Sequence, residues 1–90
     1  MSGLTDNVRA GRLEMDVEGE TVFADYRRAA DRLIIDHVEA PTALRGTGAA
    51  GRFMVALAAH AREQGLKIVP MCGYAAAWLR RSEKDHDLIA

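Results

Sequence analysis

The sequence predicts an α+β fold whose elements follow the order β-β-β-α-β-α. Three observations lead to this prediction. Apolar and polar residues alternate in the first third of the chain, a glycine-rich loop follows, and the apolar period then lengthens to that of a helix. We expect a mainly antiparallel, twisted sheet with one parallel βαβ pair, and helices packed on it.

The first three predicted strands form an antiparallel meander. Segment 12–18 alternates apolar with acidic residues, and segment 20–28 is rich in β-branched and aromatic residues. Segment 32–40 is the third strand, and it ends because Pro41 cannot donate to a ladder. Only short connections separate the three segments, which favours antiparallel neighbours.

The second half of the chain predicts the parallel pair. Segment 49–64 has helical periodicity and ends before Gly65, a residue suited to a left-handed helix cap. Segment 66–71 is a short, mostly apolar strand, and a second helix starts near Gly73. The third strand, the helix and segment 66–71 therefore form a βαβ unit.

Composition limits the possible functions. Ninety residues, 49% of them hydrophobic and 28% charged, fit one domain spanning residues 1–90. A formal net charge of -1 gives no basic footprint, so we expect no nucleic-acid partner. The single cysteine, Cys72, excludes an intramolecular disulfide and leaves no zinc cluster, so no metal site is expected. Without a signal sequence or a long apolar run, the sequence predicts a cytoplasmic protein with no membrane partner.

The loop before the helix contains a G-x-G-x-x-G pattern in Gly46, Gly48 and Gly51. A phosphate docks readily at a helix N-terminus, where N–H groups have no intrahelical partner. A dinucleotide site also needs an acid after the next strand, where this chain has Pro70-Met71-Cys72. A Walker A loop needs Gly-Lys, and here Arg52 follows the last glycine. Two interpretations of the glycine pattern remain: the loop binds another phosphate-containing ligand, or its glycines only permit a tight turn.

Arg45-x-x-Gly48-x-Ala50 resembles the R/Q-x-x-G-x-G/A signature of the GNAT acyltransferase superfamily. Residues 33–88 as a whole resemble the short, single-domain GNAT-like N-acetyltransferases. The resemblance implies a GNAT-like fold and an acetyl-CoA site where the two parallel strands separate, with pantetheine along residues 38–44 and phosphates at residues 45–51. The implied cofactor-binding residues are Val38, Leu44, Arg45, Gly46, Thr47, Gly48, Ala49, Ala50 and Gly51.

Cys72 is a candidate catalytic residue at the end of the last predicted strand. It precedes a helix, and N–H groups at a helix start stabilise a thiolate. The short family carries a cysteine at the matching position. Three roles stay open at this point: an acetyl-thioester intermediate, a contact to the substrate, or a small buried apolar group.

His37 and Glu39 are candidate bases near the end of the third strand. Simple alternation places His37 on the face of Leu33 and Ile35, where it either acts as a base, orients Cys72 or is a hydrogen-bonded core residue. Glu39 shares the face of His37, and it either accepts a proton through water or is a solvated edge carboxylate.

Tyr74 and Trp78 share one face of the last predicted helix. The resemblance implies that Tyr74 gives a proton to the leaving thiolate, and packing is the alternative role. Trp78 stands where the short family usually has a second tyrosine, and an indole has no labile oxygen proton.

The resemblance implies an acetyl-CoA-dependent N-acetyltransferase whose acceptor is an amine, for example of a protein or peptide. The connections between the first strands are too short for the two helices that wall the acceptor site in the full superfamily, so an open acceptor side is expected. The alternative is a non-catalytic module that binds coenzyme A or a partner. We expect a monomer or a weak homodimer.

Overall fold

The computed structural model describes residues 3–90, in which five strands form one sheet. The strands are β1 (Leu4–Asn7), β2 (Arg12–Val17), β3 (Glu20–Ala29), β4 (Arg32–Glu39) and β5 (Lys67–Pro70). They lie in chain order, antiparallel except for the parallel β4–β5 pair. Helix α1 (Ala49–Glu63) connects the parallel strands and α2 (Gly73–Arg81) follows them. This confirms the predicted α+β fold. Neither helix has the length and apolar character needed to cross a bilayer.

Strand β1 is absent from the predicted order. Its sequence, LTDN, holds one apolar residue and therefore shows no alternation. It forms because the edge of β2 presents unpaired backbone N–H and C=O groups, which β1 pairs from Leu4 opposite Met15 to Asn7 opposite Arg12. The strand was not predictable from its own residues.

The connections among the first four strands are short. Three residues, Val8–Ala10, form a 3-10 turn between β1 and β2. Glu18 and Gly19 join β2 to β3 with φ angles of 52° and 81°, as a two-residue hairpin requires. Ala30 and Asp31 join β3 to β4. None of these connections carries an α-helix, as the sequence predicts.

The core lies between one face of the sheet, here called the inner face, and both helices. Helix α1 buries a stripe at helical spacing, in which Phe53, Met54, Leu57 and Ala61 are all fully buried. It ends at Glu63, and Gly65, two residues further on, has a φ of 68° that confirms the predicted left-handed residue after the helix. The sheet contributes Leu13, Val22, Ala24, Leu33, Ile35 and Ile68, and α2 contributes Ala75 and Leu79.

A β-bulge near the end of β4 reverses the side-chain alternation. Tyr26 pairs with Ile35 and Asp25 pairs with His37, so Asp36 has no counterpart on β3. Because one extra residue moves the following side chains to opposite faces, Val38 packs against the core and His37 is exposed. The prediction that His37 shares the face of the buried residues Leu33 and Ile35 is therefore wrong.

The C-terminal segment, residues 83–90, packs on the end of the βαβ unit where α1 ends and β5 begins. It consists of a 3-10 helix, Glu83–Leu88, followed by two residues. Ile89 forms a parallel bridge with Ile68, and the N–H of Ala90 donates to the carbonyl of Ile68 over 2.8 Å. The segment thus covers part of the edge of β5.

Candidate active site

Strands β4 and β5 separate at the carboxyl end of the parallel pair. Their register ends at Ile35 opposite Pro70, which has no N–H to continue the ladder. The N–H groups of Met71 and Cys72 both donate to the carbonyl of Ile35, over 2.9 and 3.2 Å, and the chain then enters α2. Among residues 3–90, no strand pairs with segment 36–39 of β4 on the β5 side. We call this gap the β4–β5 opening.

The glycine loop, residues 45–51, follows a 3-10 helix, Thr42–Leu44, and leads into α1. Two of its glycines have a backbone conformation that other residues rarely adopt. Gly46 and Gly48 have φ angles of 80° and 78°, in the left-handed region. A Cβ at either position would touch nothing within 4 Å. Backbone conformation, and not lack of space, therefore explains these two glycines. Gly51 differs from them, because it lies inside α1 at an ordinary helical φ.

Several backbone N–H groups of the loop have no hydrogen-bond acceptor in the described residues. Thr47 fixes its shape, because Oγ1 donates to the carbonyl of Leu44 over 2.6 Å and accepts from the N–H of Ala49 over 3.3 Å. The N–H groups of Gly48, Ala50 and Gly51 have no acceptor among residues 3–90. Together with the positive end of the α1 dipole, they form a place where a phosphate can bind.

The predicted cofactor-binding residues divide by exposure. Leu44 and Ala49 are buried, 5% and 1% exposed, so only their backbone can contact a ligand. Val38 packs against the core and likewise offers backbone at the β4–β5 opening. The remaining predicted residues are exposed or half-buried around the loop: Arg45, Gly46, Thr47, Gly48, Ala50 and Gly51. The Arg45 guanidinium forms no ion pair within residues 3–90 and is free to meet an anion.

His37 and Glu39 form a hydrogen-bonded pair on the outer face of the sheet, beside the β4–β5 opening. His37 Nε2 lies 2.9 Å from Glu39 Oε1, and the side chains are 53% and 58% exposed. Their spacing of two residues predicts a shared face, and the structure brings them together. The bulge makes that face the solvent-exposed one, where a base is accessible to a substrate.

Cys72 lies apart from this pair. It precedes the first residue of α2, and its half-buried side chain packs against the core. Within the described part of the chain, no hydrogen bond joins its thiol to His37 or Glu39. The structure thus places the three predicted catalytic residues around one opening without forming a Cys-His pair.

Two further α2 side chains lie near the opening and the loop. Desolvation raises the pKa of Tyr74, Arg81 partly offsets this rise, and the neighbouring Cys72 adds a smaller increase, so Tyr74 stays protonated at neutral pH. Trp78 lies beside the first turn of α1, since a Cβ built on Gly51 would be 3.9 Å from its Nε1. The i, i+4 spacing signals the shared face, but it does not signal the contact with the loop.

Comparison with known proteins agrees with this arrangement. A sheet whose single parallel pair separates beside a glycine loop at a helix start is a fold that suits an acyltransferase. The model of the GCN5-related N-acetyl-transferase family matches residues 12–88. The chain therefore belongs to this family of acyltransferases. No curated protein matches it.

Proposed function

We propose that the protein is an acetyl-CoA-dependent N-acetyltransferase that acts on an exposed primary amine, such as that of a protein or peptide. One observation carries the proposal: the glycine loop, the β4–β5 opening and the His37–Glu39 pair all lie at the same end of β4. Membership of the GCN5-related family supports it.

The glycine loop and β4 supply the donor site. The free N–H groups of Gly48, Ala50 and Gly51 bind the pyrophosphate of coenzyme A, and Arg45 adds a positive charge. The unpaired backbone of segment 36–39 hydrogen-bonds the amides of the pantetheine arm, as a neighbouring strand would. Bound in this way, acetyl-CoA supplies a thioester at the β4–β5 opening.

His37 and Tyr74 act on the protons of the reaction: His37 accepts one from the amine and Tyr74 donates one to the leaving thiolate. An amine at neutral pH is largely protonated, so His37 removes a proton while Glu39, 2.9 Å from it, stabilises the imidazolium. The amine nitrogen then forms a C–N bond to the acetyl carbon as the C–S bond breaks, and the nitrogen loses its second proton to water to become a neutral amide. The departing thiolate takes the phenol proton of Tyr74, which the raised pKa keeps on the oxygen at neutral pH until the thiolate forms. Water returns a proton to Tyr74 and removes the one on His37.

Cys72 lines the thioester position without becoming acetylated. A nucleophilic cysteine usually has a base within hydrogen-bond reach, and none contacts Cys72 among residues 3–90. His37 instead hydrogen-bonds Glu39 on the outer face of the sheet. These contacts favour direct transfer to the amine.

The acceptor side is wide enough for a bulky substrate. The connections from β1 to β4 contain four, two and two residues, so no α-helix covers the outer face beside His37 in the described part of the chain. His37 and Glu39 are both more than half exposed. An amine on a protein surface or a peptide can therefore approach the pair.

Two measurements test the proposal. Calorimetry with acetyl-CoA and with CoA should detect binding of both ligands. Incubation with acetyl-CoA and lysine-containing peptides should release CoA and acetylate the peptide, as measured by mass spectrometry, while the intact protein gains no acetyl group. An acetyl adduct that is lost in Cys72→Ala would contradict direct transfer.

The same pair of measurements separates the enzyme from a binding module. CoA binding without acetyl transfer to any amine would favour the non-catalytic alternative. Failure of both CoA and acetyl-CoA to bind would overturn the proposed function.

A further inference from the structure

The indole N–H of Trp78 is a donor with no acceptor inside the described protein. Trp78 is half-buried on α2, and no hydrogen bond to its Nε1 is formed by residues 3–90. An indole offers one donor and no acceptor, and a packed indole normally finds a partner for it. No fully buried side-chain nitrogen or oxygen among the described residues lacks a partner, so Nε1 reaches the surface.

This donor lies at the start of α1. A Cβ built on Gly51 would be 3.9 Å from Trp78 Nε1, which places the indole edge next to the first helical turn. The N–H groups of Ala50 and Gly51, in that same turn, also lack acceptors among residues 3–90. A side chain on α2 and the backbone of α1 thus present donors to one small region.

We propose that Trp78 is a cofactor-binding residue, whose indole N–H donates a hydrogen bond to a pyrophosphate oxygen of coenzyme A. This inference rests on the proposed function, since it assigns a further residue to the same donor site. Helix α2 then forms a second wall of the phosphate site, opposite the glycine loop.

The chain contains one tryptophan, so its emission reports on this position alone when tryptophan is excited selectively. Titration of the full chain with CoA should change the emission and saturate at the same concentrations as calorimetry. Pantetheine, which lacks the pyrophosphate, should leave the emission unchanged.

The variant Trp78→Phe keeps an aromatic ring against Gly51 and removes the donor. A hydrogen bond to a charged oxygen is lost, so CoA should bind about tenfold more weakly, while pantetheine binds as before. The melting temperature of the variant checks that it is folded. The wild-type emission tests the contact even if the variant does not fold.

The measurements distinguish a failure of this inference from a failure of the proposed function. If the wild type binds CoA with no change in emission, or if folded Trp78→Phe binds CoA as tightly as the wild type, this inference is overturned and the proposed function stands. If the wild type binds no CoA, both are overturned.

Discussion

The two ends of the βαβ unit differ in whether their polar groups have hydrogen-bond partners within the protein. At the carboxyl end of β4, three N–H groups around the glycine loop (Gly48, Ala50 and Gly51), the guanidinium of Arg45 and the indole N–H of Trp78 have no partner among residues 3–90. At the other end of the unit, where α1 ends and β5 begins, charged side chains are held by the C-terminal segment.

Arg62 is the centre of this second, closed end. Its guanidinium donates to Asp87 over 2.8 Å and to the buried carboxylate of Asp85 over 3.2 Å. Ser82 Oγ donates to the other oxygen of Asp85 over 2.7 Å, and the ammonium of Lys67 donates to the carbonyl of Asp87. Polar groups at the closed end form hydrogen bonds within the protein, whereas those at the open end remain available for a ligand.

The contrast suggests a division of labour that mutations can test. Changes at the open end should alter binding or turnover with little loss of stability. Changes at the closed end should lower stability and leave CoA affinity unchanged in the folded protein.

The largest effect is expected for His37→Gln. Removal of a general base usually slows turnover by roughly a hundredfold or more. Because His37 is 53% exposed, the melting temperature should move little, and CoA affinity should be kept. Steady-state acetylation and calorimetry measure the two quantities. His60→Gln is the matched control on α1 and should retain full turnover; an equal loss in both variants would remove His37 from the mechanism.

Asp85→Ala should produce the largest loss of stability. The substitution leaves Arg62 and Ser82 without a buried acceptor, which costs about 2 kcal/mol in the free energy of unfolding. For a chain of this size the melting temperature then falls by roughly 10 °C.

Asp87→Ala is the control for Asp85→Ala, because Asp87 also pairs with Arg62 but is 58% exposed. Exposed pairs contribute little, so its melting temperature should fall much less. Equal losses in the two variants would contradict the assignment of Asp85 as the buried anchor. CoA affinity, measured below both melting temperatures, should match the wild type.

Gly48→Ala should weaken CoA binding by about tenfold. An alanine at a φ of 78° costs roughly 1–2 kcal/mol, and the loop relieves this strain by turning its N–H groups away from the phosphate. Gly51→Ala is the matched control, since its φ is helical and a Cβ would make ordinary contact at 3.9 Å. Calorimetry should find Gly51→Ala close to the wild type; the reverse order would place the phosphate elsewhere.

The smallest effect is a pH dependence at the closed end. A hydrogen bond from Arg62 lowers the pKa of Asp87 below its ordinary value. Its contribution to stability is therefore present at neutral pH and is lost as the pH falls below about 4. The difference in melting temperature between the wild type and Asp87→Asn should be measurable at pH 7 and shrink at pH 3. A constant difference would show that the carboxylate charge does not matter.

Periodicity and glycine spacing predict most of the fold. The alternation in β2 and β3, the helical stripe of α1 and the cap at Gly65 are local signals, and all are present in the structure. The spacing of His37 and Glu39 likewise predicts that they share a face, because a residue and its second neighbour always do in a regular strand.

The structural features that the sequence does not predict depend on partners distant in sequence. Strand β1 exists only because β2 offers it an edge, and the bulge at Asp36 is visible only from the pairing with β3. Arg62 lies on the exposed side of α1, and its partners Asp85 and Asp87 reach it only because the C-terminal segment folds onto this helix. Trp78 reaches the glycine loop through the packing of α2 on α1, which no spacing within α2 reveals.

The bulge at Asp36 acts on β4 as a single-base insertion acts on a coding sequence: every position after it is read in another frame. Before the bulge, Leu33 and Ile35 are buried in the core; after it, Val38 packs against the core while the odd-numbered positions, His37 and Glu39, are exposed. Arg27 holds the inserted residue with two hydrogen bonds of 2.7 and 2.8 Å to its carboxylate. One strand thereby contributes to the core on both sides of the bulge and still presents the hydrogen-bonded His37–Glu39 pair to solvent.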